Sequence, residues 1–333
     1  MKKIGLTTTV PVEVLFAAGY TPVDLNNIFI TSEDYTKYID IAEQHGFPSS
    51  LCTWIKGIYG VCIEKDIKEI VGVMEGDCSN TKALTEVLKL RGITIYPFSY
   101  PQSHKIEDVE HEIKKLMETF NVGEDEVEKT RIKLNKIRKL AKEIDELTYK
   151  DNKAKAFENH LYQVSLSDFN GDVDICESEL QKIITSIKQR ESNEKKLRLG
   201  YIGVPPMTTD IYKFVEGFDA NFVYNEVQRE FAFPRGEEAK NIYYQYFDYT
   251  YPYDVDFRIT ELRKQIEERK LDGLVHYTQA FCHRAVEDIV LKEKLDIPIL
   301  NIEGDKLNTL DARTKLRLEA FLDMLSDLKE GEV

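Results

Sequence analysis

Short apolar runs rich in β-branched residues alternate along this chain with segments of helical period, and that rhythm restricts the fold more than any other feature. The run 4–10 precedes helical stretches after Ser32 and across 51–62. A second run, 70–74, stops at Glu75, Gly76, Asp77 and Cys78. A helix is predicted over 81–90, then a strand over 93–96 that Pro97 ends. Strand, helix, strand in this order builds a parallel sheet, because parallel neighbours need a crossover and a helix supplies it. The rhythm returns after Leu197, with strands predicted at 199–204, 221–224, 273–277 and 298–302. Helices are predicted near 208–216, 259–270, 282–294 and 312–328.

Between these stretches the period is helical. Val109, Ile113, Leu116 and Phe120 recur every three or four residues, and Val127, Leu134, Ile137, Leu140, Ile144 and Leu147 form one apolar stripe on a charged helix. A further helical region spans 153–189, interrupted near Asn170 and Gly171, and the polar stretch 190–196 reads as a linker. At 333 residues the chain is long for one domain. The expected fold class is α/β: two flavodoxin-like or Rossmann-like parallel-sheet domains, 1–122 and 197–333, with a helical bridging region at 123–196. No internal sequence repeat relates the halves.

Composition narrows the setting. The longest apolar runs, such as 10–18, are broken by Pro and Glu and fall short of the roughly 20 residues of a membrane span. Two lysines near the N-terminus lead into a threonine-rich strand rather than a secretory apolar core, so a cytoplasmic protein is expected. A formal charge of -14 argues against nucleic acid as a partner, because phosphate contacts need clustered Lys and Arg. The basic helix near 129–142 could attract an acidic partner surface.

Five cysteines are too few for a disulfide scaffold in so long a chain, and in a reducing compartment they are thiols or metal ligands. Cys78 follows the strand at 70–74 and precedes a helix; Cys282 follows the strand at 273–277 in the same way. Ligands in open parallel sheets bind beyond the carboxyl ends of strands, so both thiols stand where a site is built. Cys52 opens or precedes a helix after Pro48, and a helix N-terminus favours the thiolate that binds metal. Three thiolates from separate segments can hold three corners of a [4Fe–4S] cube and leave the fourth iron open. Cys62 lies ten residues beyond Cys52, about 15 Å away if one helix carries both, unless Gly57 and Gly60 break it. It is a ligand or a small buried hydrophobe. Cys176, in the acidic context 172–179, reads as structural. There is no Cys-x-x-Cys pair, and spacing alone reads any single cysteine as a buried inert thiol; three at α/β loop positions together weigh as much for ligands as for buried thiols.

Other side chains admit two readings. His283, beside Cys282, and His276 are proton donors, supporting groups or ligands, or else structural. Glu75 and Asp77 flank Cys78 as acid–base groups or as loop carboxylates that cap the next helix. Glu303 and Asp305 end a strand at the functional edge, as site residues or as a turn with helix capping. Arg229 is an anion partner or one half of a structural ion pair. The tyrosine-rich group Tyr243, Tyr244, Tyr246, Phe247, Tyr249, Tyr251 and Tyr253 lines a pocket, or packs in a core or interface.

Collinear motifs add to this. The segment GLVHYTQAFCHRAVEDIVLKEKLDIPILNIEGD at 273–305, followed by RTKLRLEAFLDML, resembles the C-terminal signature of the 2-hydroxyacyl-CoA dehydratase D-component family. YIGVPPMTTDIYKFVE, YNEVQREF and GVMEGDCSNTKAL around Cys78 resemble the same family in the same order. The resemblance implies a [4Fe–4S] cluster held by the positions matching Cys52, Cys78 and Cys282, and a radical dehydration of a 2-hydroxyacyl-CoA. One electron on the thioester carbonyl would give a ketyl that expels the neighbouring hydroxyl. An ATP-hydrolysing iron–sulfur activator would supply that electron, since this chain has no P-loop. A related second subunit or a second copy would complete a dimer. Relatives of this kind also include benzoyl-CoA reductase subunits and a double-cubane reductase. A double cube wants six thiolates, and this chain has five. A reductase acting on another substrate and a non-catalytic cluster carrier are the alternatives. Turnover separates the enzymes, and a fully thiolate-ligated cluster marks the carrier.

Overall fold

The structure, a computed structural model, describes residues 2–304 and 309–331. It is α/β, with two four-stranded sheets that are parallel throughout. The first contains β1 (Lys2–Leu6), β2 (Tyr20–Asp24), β3 (Glu69–Glu75) and β4 (Thr94–Ser99), in the order β2-β1-β3-β4. The second contains β5 (Leu197–Gly203), β6 (Ala220–Asn225), β7 (Gly273–Gln279) and β8 (Ile299–Gly304), in the order β6-β5-β7-β8. The two halves therefore share one strand order without sharing sequence. In each, the order reverses between the first strand and the third, which is where such sheets place ligands.

The described chain falls into two compact units, each assembled from separate stretches. Unit 1 is Met1–Leu140, Val164–Leu180 and Phe231–Asp254; unit 2 is Ala141–Gln163, Gln181–Glu230 and Val255–Val333. The helical stretch between the sheets is shared, the helix Glu124–Tyr149 giving its first turns to unit 1 and its last to unit 2.

In unit 1 the central strands are covered on both faces, so Ile4, Leu6, Ile70, Val71 and Val73 are almost wholly buried, as the near-continuous apolar runs require. In unit 2 one face of the sheet packs Tyr201, Phe222, Val275 and Tyr277 with Leu318 and Leu322 of the helix Ala312–Gly331. The other face packs Ile202, Tyr224 and Leu274 with Ile259 and Leu262 of the helix Val255–Arg269.

Some local expectations are corrected. The first strand ends at Leu6 rather than at Val10, because Thr7 turns its hydroxyl to the β3 backbone and accepts from Val73 N at 3.1 Å. β2 was not anticipated, since Pro22 sits inside it. It is an edge strand, where a missing N–H costs no central ladder bond. The short helices Val12–Ala17, Leu25–Thr31, Glu226–Phe231 and Ile242–Phe247 were also missed, being too brief to display a helical period. Asp305 lies outside the described residues.

Buried charges hold each unit internally. In unit 1, Glu13 is fully buried and accepts from Gln245 Nε2 at 2.7 Å, Tyr246 OH at 2.7 Å and Arg138 Nη1 at 2.6 Å. In unit 2, Glu226 accepts from Arg258 Nη2 at 2.7 Å and from Gly203 N at 2.9 Å. Arg258 continues to Glu287 at 3.0 Å. One pair thus joins the end of β5 to three helices.

Candidate functional site

Cys78 stands three residues beyond the end of β3 and caps the N-terminus of the helix Ser79–Leu90. Cys282 stands three residues beyond the end of β7, and its carbonyl accepts from Ala285 N at 3.0 Å as the helix Arg284–Lys294 begins. β3 and β7 hold the same place in their sheets, so the two cysteines are topological equivalents, one in each unit. Cys52 caps the helix Thr53–Glu64 in unit 1. All three are half-buried.

Cys62 and Cys176 have a different setting. Gly57 and Gly60 do not break the helix Thr53–Glu64; they let it pack closely. A Cβ at Gly60 would lie 2.1 Å from the carbonyl oxygen of Tyr38, so only glycine fits. Cys52 and Cys62 therefore sit on one continuous helix, about 15 Å apart along its axis. Cys62 is buried, and burial pushes its thiol well above the ordinary range. Burial, with Glu179 and Asp168 nearby, pushes Cys176 up to about 12. Neither is suited to give a thiolate.

The turn that carries Cys78 is braced. Gly76 has φ +84°, and a Cβ there would lie 2.5 Å from Tyr100 Cβ and 3.1 Å from Pro252. Tyr100 in turn holds Thr9 through its hydroxyl at 2.9 Å and packs against Tyr249 and Tyr253. The tyrosine-rich segment is thus largely core: Tyr243, Tyr246, Tyr249 and Tyr253 are buried, while Tyr244 is partly exposed.

The remaining candidates fall as follows. Glu75, the last residue of β3, accepts from Gln102 N at 3.0 Å. Asp77 accepts from the Thr81 hydroxyl at 2.9 Å, across the first turn of the next helix. His283 is exposed at the start of its helix, and Glu303 is exposed on the edge strand β8. His276 is fully buried on β7, its Nδ1 3.1 Å from Asp288 Oδ1. Arg229 lies 2.9 Å from Glu261 and 3.3 Å from Asp145, an internal ion-pair cluster of unit 2.

Beside Cys52 and Cys78, unit 1 has a groove that sequence reading missed. It measures about 260 Å³ and is walled by Leu51 and Ile55 from one helix start, by Asn80, Ala83, Leu84 and Val87 from the other, and by the loop 45–48. The stripe at 80, 83, 84 and 87 has helical spacing, the one signal that was present.

Among the described residues, no three His, Cys, Asp or Glu side chains form a ready-made metal site. The chemistry of the three half-buried cysteines nevertheless fits thiolate ligation, since helix N-termini favour a negative sulfur. The buried hydroxyls of Thr9, just beyond β1 in unit 1, and of Thr208, beyond β5, and Thr278, within β7, in unit 2 make no hydrogen bond among the described residues. Among those residues no helix is long and apolar enough to cross a membrane.

A search of curated proteins finds no match. The family model described as 2-hydroxyglutaryl-CoA dehydratase, D-component, matches residues 7–325, nearly the whole chain, and takes in every described strand but β1 and all five cysteines. The chain therefore belongs to the 2-hydroxyglutaryl-CoA dehydratase D-component family.

Proposed function

We propose that this chain is a dehydratase subunit in which Cys52, Cys78 and Cys282 hold one [4Fe–4S] cluster, acting on a 2-hydroxyacyl-CoA after one-electron reduction by an ATP-hydrolysing activator. The observation that carries the reading is the matched placement of Cys78 and Cys282, each three residues past the third strand of its sheet. Cys52 at a helix cap and the burial of Cys62 and Cys176 support the same set. When bound, such a cluster supplies an electron and a Lewis-acidic iron to the thioester. The reaction removes the 2-hydroxyl and one proton from C3 as water, and the electron lent to the thioester is returned. The chain's own residues fix the ligands: Gly76 and Tyr100 hold the Cys78 turn, and the Arg284–Lys294 helix, tied through Glu287 to Arg258, holds the segment after Cys282.

The test is anaerobic purification with iron and sulfide analysis and EPR. The parent is expected to hold about four iron per chain. Cys52→Ala, Cys78→Ala and Cys282→Ala should each lose the intact cluster, while Cys62→Ala and Cys176→Ala keep it. An intact cluster in any of the first three removes that ligand from the set. A parent that takes up no iron on reconstitution defeats the proposal, and reduction of a thioester without loss of water would move the chain to the reductase reading.

A further inference from the structure

We infer that the groove beside Cys52 and Cys78 receives the acyl chain of the thioester, and that it selects an apolar acyl group against one that ends in a carboxylate. The inference rests on the dehydratase reading and names its substrate class.

The groove begins at the two helix starts that Cys52 and Cys78 cap. Leu51 adjoins Cys52, Asn80 lies two residues past Cys78, and the walls continue down the facing sides of both helices through Ile55, Leu84 and Val87. Its volume of about 260 Å³ lies just under the range of roughly 300–1,000 Å³ that accommodates drug-sized ligands. A whole CoA thioester does not fit there, but its acyl part does, with the nucleotide outside.

The lining decides the chemistry. It contains no Lys, Arg, Asp or Glu. Its one titratable side chain, His45, has Nδ1 2.8 Å from the Tyr59 hydroxyl. The nearest ammonium along the helix, Lys56, is fully buried and points to Glu43 Oε1 at 2.7 Å and the Ser49 carbonyl at 2.8 Å. A terminal carboxylate entering this groove would lose water and meet no Lys or Arg in its walls, since the Arg91 guanidinium is held by Tyr59, its Nε donating to that hydroxyl at 3.0 Å; a methyl terminus meets no such cost. The preference therefore runs opposite to the dicarboxylic acyl group in the family's description.

Titration calorimetry on the full chain with hexanoyl-CoA and glutaryl-CoA tests this without turnover. Hexanoyl-CoA should bind at least about tenfold more tightly, the discrimination expected when one ligand leaves a charge unpaired. Ala83→Trp, at an exposed position on the groove wall, should erase hexanoyl-CoA's advantage with iron content unchanged. Val87→Lys should raise affinity for glutaryl-CoA, a gain that a misfolded variant cannot produce. Equal affinities in the parent, or an unaltered profile in both variants, overturn the groove assignment. If no 2-hydroxyacyl thioester is dehydrated by the loaded, reduced enzyme while the binding preference holds, the dehydratase reading fails and the groove assignment stands.

Discussion

At the scale of single residues, what was legible is position relative to a strand. The placement of Cys78 and Cys282 at a sheet's carboxyl edge could be read because an apolar run, a turn and a helix follow one another directly. The three-dimensional constraint on Gly76 was not legible, because it comes from Tyr100 and Pro252, distant in sequence. Gly76→Ala combines a left-handed backbone with a contact of 2.5 Å. It should lower the stability of the fold by about 1–3 kcal/mol, the usual cost of a strained backbone residue, read from the urea midpoint. It should also reduce iron uptake beyond what that loss predicts, because the displaced turn carries Cys78. Wild-type stability and iron content in Gly76→Ala would show that the turn does not need glycine.

At the scale of elements, long runs were read correctly and short ones were not. β3 and β7 announce themselves through central burial, whereas β2 was hidden by Pro22, which an edge strand tolerates. The groove was hidden because only the packing of two helices creates it, although each helix was placed nearly correctly. What fixes the helices of unit 2 against its sheet is equally nonlocal. Burial alone would push the Glu226 carboxyl up, but the Arg258 guanidinium and the Gly203 N–H outweigh it and hold the group ionised. Removing one partner strands a buried charge, so Arg258→Met should cost about 3–5 kcal/mol. The double variant Arg258→Met with Glu226→Leu should recover much of that loss, because no charge is then left unpaired. Chemical denaturation of the two single variants and the double variant closes the cycle. Additive losses would mean that the two side chains do not act as a pair.

At the scale of the whole molecule, the described carboxylates pull the pH dependence of stability in two directions. Glu13, Asp145 and Glu226 are each buried, which raises a carboxyl, but Arg138, Arg269 and Arg258 respectively outweigh burial and hold them below the ordinary range. Their stabilisation is present above the unfolded values near 4 and is lost as pH falls through the folded ones. Asp24 and Asp168 act oppositely. Asp168 Oδ2 accepts from Asp24 N at 2.7 Å, and burial together with the neighbouring Asp24 carboxyl raises Asp168 to about 7. Burial raises Asp24 as well. Between the unfolded value of 3.8 and about 7, the native state then holds a proton that the unfolded chain has released. Stability therefore falls as pH rises through that window. The excess of acidic over basic side chains, -14 in formal charge, adds self-repulsion in the same direction. The stability maximum is accordingly expected on the acid side of neutrality, above the range where Glu13, Asp145 and Glu226 protonate. Asp168→Asn keeps an acceptor for Asp24 N and removes the titrating proton. It should leave the acid limb of the curve in place, flatten the decline between pH 5 and 7, and raise the melting temperature at neutral pH. A parent whose melting temperature climbs steadily through pH 5 to 7, or an Asp168→Asn variant with the parent's slope, would show that the carboxyl pair shares no proton in the folded state.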